Sequence, residues 1–132
     1  MRKLLLVATS SMVLALAPFA AETATAAPDD VFRGTWTSID TDGSNQLLTI
    51  RGWGQDRLAM FLFDDSATTA CHGSPAHLQG SGVVNGDHLL MRGTLTCMPG
   101  GNPLTGRTSL RFVYHLGSDT LTDNTGVRWH RS

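Results

Sequence analysis

Of the 132 residues, the first 27 read as removable, which leaves a mature part of roughly 105 residues, enough for one domain with a single core. That part has no Lys and no Glu, carries eight Arg against ten Asp for a formal charge of −2, and holds all 14 Gly. The missing helix-surface residues argue against a helical fold, and without a basic excess or basic run neither nucleic acid nor an anionic membrane is favoured as a partner.

In chain order, Arg2 and Lys3, the apolar stretch 4–17 and the small residues Ala24-Thr25-Ala26 form a secretory signal. The apolar run is too short to cross a bilayer. The expected organisation is therefore a signal peptide over 1–27 and a single domain over 28–132, secreted or periplasmic, with no integral membrane segment in the mature form. Short β-type runs follow at 32–39, 46–51, 57–63, 77–84, 88–97, 108–116, 120–122 and 127–131. Turn-forming pairs such as Asp42-Gly43, Asn85-Gly86 and Gly117-Ser118 separate them, and no apolar pattern of helical period is long enough for a helix. Consecutive strands joined this way are antiparallel neighbours. The predicted fold is all-β, an eight-stranded up-and-down meander closing into a small barrel, with a two-layer sandwich as the alternative.

Alternation assigns the inner face where it is clear: Leu110, Phe112, Tyr114 and Leu116 on one strand, and Leu89, Met91, Leu95 and Cys97 on another. The stretch 58–63 is apolar on both faces and leaves its register open. In a strict meander Cys71 and Cys97 fall at the same end, and an even cysteine count in an exported chain points to one disulfide. The longer loops, 40–45, 64–76, 98–106 and 123–126, share that end, and long loops on one rim of a rigid scaffold are where binding surfaces are built.

Gly34-Thr35-Trp36 on the first strand of such a meander resembles the Gly-x-Trp opening of the calycin group, the lipocalins and avidins. The resemblance implies a closed barrel with Trp36 packed near its base and an Arg from the last strand, Arg128 or Arg131, lying over that indole, an architecture compatible with ligand binding. It covers strand count and order. The biotin-binding set of the avidins finds no residue-by-residue match, and biotin is not implied.

Candidate functional residues lie on the loop-rich rim: Asp64, Asp65, Met98 and Leu104 are expected to line a ligand-binding mouth, with Trp36, Trp129 and Arg128 structural. Cys71-His72, His77 and Cys97 match no standard zinc spacing, and Asp40 to Ser44 lacks the later ligands of a calcium loop, so a disulfide and a turn are the readings and no metal or cofactor is expected. Trp53, between two glycines, is expected to cap the short-loop end of the barrel, a contact anchor being the alternative. No Gly-x-Ser-x-Gly, His-Glu-x-x-His or phosphate-cradling motif supports an enzyme. These features point to a binding module for a small apolar or amphipathic ligand at the clamped rim. The alternative is a protein-interaction domain, such as a secreted inhibitor or envelope-associated factor. Aromatics including Phe61, Phe63, Phe112 and Tyr114 are set to compete with a ligand for the interior. Mass spectrometry of the exported protein is expected to show an N-terminus near residue 27 or 28 and a Cys71–Cys97 bridge; two free thiols would contradict it.

Overall fold

Between the turn-forming residues, β-branched and aromatic side chains alternate with polar ones, and strands form there. A computed structural model describes residues 30–53, 57–98 and 103–132, the segment 103–106 by its backbone alone. Eight strands, β1 (Gly34–Ile39), β2 (Asn45–Gly52), β3 (Leu58–Asp64), β4 (Ala76–Asn85), β5 (His88–Cys97), β6 (Pro103–His115), β7 (Thr120–Asp123) and β8 (Arg128–Arg131), are antiparallel neighbours in chain order. β8 pairs back onto β1, which closes the sheet into a barrel and excludes the sandwich. Gly86 takes φ of 63° in the two-residue turn between β4 and β5, a conformation that Asn-Gly turns supply cheaply.

One helical turn, α1 (Thr68–Cys71), interrupts the long loop after β3, where no helix was expected. The disulfide joins Cys71 at its end to Cys97 at the end of β5. Closing a loop of this length stabilises the fold by roughly 3 to 4 kcal/mol in the chain-entropy account. Among the described residues no helix is long and apolar enough to cross a membrane.

The inner face is packed from the base to mid-height by residues such as Phe32, Trp36, Leu48, Met60, Met91 and Phe112, all buried. Register resolves the doubly apolar third strand: Leu58, Met60, Leu62 and Asp64 point inward, while Phe61 and Phe63 lie on the outer wall, Phe61 against the His77 ring at 5.5 Å. The interior therefore holds fewer aromatics than expected. Leu116 also leaves the core, because a turn closed by Ser118 N donating to the His115 carbonyl ends β6 one residue earlier and leaves Leu116 81% exposed.

At the base, the Trp36 indole N–H donates to the Phe32 carbonyl at 2.9 Å, and the Arg131 guanidinium stacks over the ring with its carbon 4.1 Å from the centroid. Arg131 also donates to the carbonyls of Arg33 and Val31 and, through Nε and Nη2, to both oxygens of Asp119. The Tyr114 hydroxyl donates to the same carboxylate at 3.1 Å. The two-residue period of β8 puts Trp129 and Arg131 on the barrel side, which leaves Arg128 exposed on the outer wall; Arg131 fills the place over Trp36. With the base occupied by Phe32, Trp36 and Arg131, Trp53 does not cap it and is 61% exposed.

Gly80 and Gly93 face each other across β4 and β5, and a Cβ on either would overlap the neighbouring strand, at the Arg92 carbonyl for Gly80 and the Gln79 carbonyl for Gly93. Only glycine permits this close approach of the two backbones.

Two measurements probe the base. Trp36→Ala is expected to destabilise the fold by about 3 to 5 kcal/mol in denaturant melts, as a large core deletion. The Arg131 hydrogen bond holds the Asp119 carboxyl below the usual carboxylate range, so its contribution is complete above pH of about 4 and is lost as pH falls through the lowered value. The group is half-exposed, so the contribution is about 1 kcal/mol or less after solvent screening. Asp119→Asn should lower the melting temperature at neutral pH and flatten its fall in acid.

Candidate functional site

At the loop-rich end, four strands finish their inward rows with a polar residue. Ser38 follows Trp36, Gln46 precedes Leu48, Asp64 follows Leu62 and Asp123 follows Leu121, while on β6, which runs on to Pro103, Thr108 precedes Leu110. Three of these are direct cross-strand neighbours, Ser38 opposite Gln46 and Gln46 opposite Asp64. Their side chains form a chain of hydrogen bonds: the Ser38 hydroxyl donates to Gln46 Oε1 at 2.9 Å, and Gln46 Nε2 donates to Asp64 Oδ2 at 3.0 Å. The other Asp64 oxygen accepts from the Ser66 amide at 2.9 Å, which turns the chain out of β3 toward α1. A fully connected row of this kind satisfies buried polar groups and fixes their geometry.

Across the mouth, Asp123 organises the turn between β7 and β8. Its Oδ1 accepts from the amides of Thr125 and Val127 and from the Thr125 hydroxyl, and its Oδ2 accepts from the Trp129 indole N–H at 3.0 Å. Trp129 is thereby locked in place, edge-on to Phe112 with centroids 6.0 Å apart. Asp42 ties the loop after β1 to the start of α1: its carboxyl accepts from the Ser44 and Thr68 amides, and these bonds, Ser44 first, hold it far below the usual carboxylate range.

At this end an open cavity of about 340 Å³ lies in the barrel mouth. Leu62, Leu78, Leu95, Leu110 and Trp129 supply apolar wall, Ala67 and Ala70 close it from the α1 side, and Gln46 and Asp64 present polar atoms to it. Carboxylates of Asp40, Asp64 and Asp123 line it, and no Arg, Lys or His does among the described residues. The volume lies at the low end of the range for ligand pockets, about 300–1,000 Å³. The arrangement offers an apolar seat of limited depth beneath hydrogen-bond acceptors.

Of the residues expected to form the mouth, Asp64 lines the cavity. Asp65 turns the other way, accepting from the backbone and side-chain nitrogens of Asn45 at 2.8 Å each, and so clasps two loops on the outside. Met98 is exposed and fixed through its backbone, its amide donating to the Pro75 carbonyl at 2.7 Å. Leu104's side chain, like residues 99–102, lies outside the described residues. Cys71 and Cys97, bonded to each other, cannot serve as zinc ligands, and no group of three potential metal-ligating side chains occurs among the described residues. Sequence reasoning missed Ser38, Gln46, Asp123 and the inner-wall leucines. The signal was present in the period-two rows of β1, β2, β3 and β7, which end in a polar residue at one end.

No protein-family model, curated protein or solved structure matches this chain.

Proposed function

We propose that the protein is a calycin-like binding module that holds a compact amphipathic ligand in the mouth of its barrel. The cavity between the inner-wall leucines and the Ser38–Gln46–Asp64 row carries the reading. The ligand's apolar body rests on Leu95 and Leu110, and its polar head, a hydrogen-bond donor, meets the Asp64 carboxylate. Packing below mid-height confines it to the mouth. The disulfide and α1 form a covalently pinned shelf beside it, which lowers the ordering cost of binding. Export through the signal at 1–27 fits a module that works outside the cytoplasm.

A second reading, a surface for a protein partner, draws on the outer wall. Ile39, Leu47 and Phe61 are exposed there on consecutive strands, with Phe63 directly opposite Leu47. A partner seated on this stripe would protect Phe61 and leave the cavity free.

Calorimetric titration with n-octylamine, n-octanol and octanoate tests the first reading. The amine is expected to bind best, because every charged group around the cavity among the described residues is a carboxylate. Leu95→Trp, which fills the seat, and Asp64→Asn, which removes a charge-assisted acceptor, should each weaken octylamine binding by about tenfold or more. Trp53→Ser, at the far end, should leave it unchanged. Equal affinity for all three head groups, or binding indifferent to Leu95→Trp, would place the function elsewhere.

A further inference from the structure

The small net charge conceals a segregation of charge. Asp40, Asp42, Asp64, Asp65 and Asp123 all sit at the mouth end, whereas Arg51, Arg57, Arg92 and Arg107 spread over one outer wall. Register places the arginines. One outward row runs Arg51, Ala59, Ser81, Arg92 across β2 to β5, and the next runs Phe61, Gln79, Thr94, Arg107 across β3 to β6. Between the rows, the wall dips at the Gly80–Gly93 contact. The result is an open groove of about 770 Å³, bordered by Trp53, Arg57, Arg92 and Arg107 and floored by neutral polar residues including Gln79 and Ser81.

Among the described residues no carboxylate lines this groove, and Arg57, Arg92 and Arg107 form no ion pair. Three guanidinium groups thus hold their forked donors toward solvent around a concavity, which suits carboxylates presented at intervals. Trp53 offers a broad indole face at the groove's end, where the C–H side of a sugar ring can pack. Gln79, Ser81 and Thr94 provide neutral donors and acceptors matched to ring hydroxyls. A nucleic-acid strand would instead be met by successive aromatic platforms, and Trp53 is the single aromatic among the described lining residues.

We propose that this groove is a second binding site, separate from the mouth, for an acidic polysaccharide whose sugar carboxylates pair with Arg57, Arg92 and Arg107 while one ring stacks on Trp53.

The test is calorimetric titration of the full mature chain, at low salt, with oligogalacturonate, with the same oligomer fully methyl-esterified, and with single-stranded DNA of similar length. Oligogalacturonate is expected to bind, more weakly as salt rises, and the neutral ester to bind about tenfold less tightly or worse. The double variant Arg92→Gln/Arg107→Gln should lose roughly tenfold or more, and Trp53→Ala about fivefold, while Leu95→Trp in the mouth should bind as wild type. All altered groove side chains are exposed, and unchanged near-UV circular dichroism and melting curves confirm that the variants fold. Absence of binding to oligogalacturonate at low salt would overturn the proposal. So would equal binding of the ester, wild-type affinity in the groove variants, or DNA binding as tight with the same dependence on Trp53 and the arginines.

Discussion

Arg131 closes the barrel. The seam between the first and last strands is short, with Trp36 opposite Arg131 and Thr37 opposite His130. Two residue pairs make a meagre ladder, and the Arg131 side chain reinforces it by crossing the seam to the Arg33 and Val31 carbonyls while covering Trp36. Asp119, from the turn before β7, holds the guanidinium in a bidentate grip and raises its pKa through that hydrogen bond. A lone exposed ion pair would contribute little. Here one planar cation satisfies two orphan carbonyls, a carboxylate and an aromatic face at once, which fixes its geometry and seals the base.

A sealed base and a packed middle leave two concavities. One is the mouth, where the inward rows end in polar residues because water and loops, rather than core, lie beyond them. Leu95 and Leu110 just beneath are only partly buried, and a cavity remains between them and the polar residues. The other is the outer wall, where long polar and basic side chains stand around the groove at the Gly80–Gly93 contact. Both concavities depend on the same property of a small barrel, namely that side chains of one strand alternate between two environments with different chemistry.

Much of the architecture is local and could be read from the chain. Turn pairs such as Asn85-Gly86 carry their own backbone preference, and period-two alternation in residues such as Leu89 and Met91 marks a face without reference to any partner. Strand order and antiparallel pairing follow from short connections, and these in turn bring Cys71 and Cys97 to one end. The aromatic stack was legible in part: Gly34-Thr35-Trp36 pointed to a base plug, yet choosing Arg131 over Arg128 required the register of a four-residue strand.

Register and distance between strands were beyond local reading. Leu58 to Phe63 is apolar on both faces, so its sequence carries no preference, and pairing with β2 and β4 decided that Phe61 and Phe63 face outward. Asp64 and Asp65 look alike in the chain, and only the row completed by Ser38 and Gln46 separates a cavity carboxylate from a loop clasp. The arginines between residues 51 and 107 are far apart in sequence and averaged away in the net charge, and four strand pairings bring them onto one wall. Composition and periodicity are sums over neighbours along the chain, so they determine strands, turns and the pairing of the two cysteines. A site is a sum over neighbours across strands, and closure of the barrel creates those neighbours.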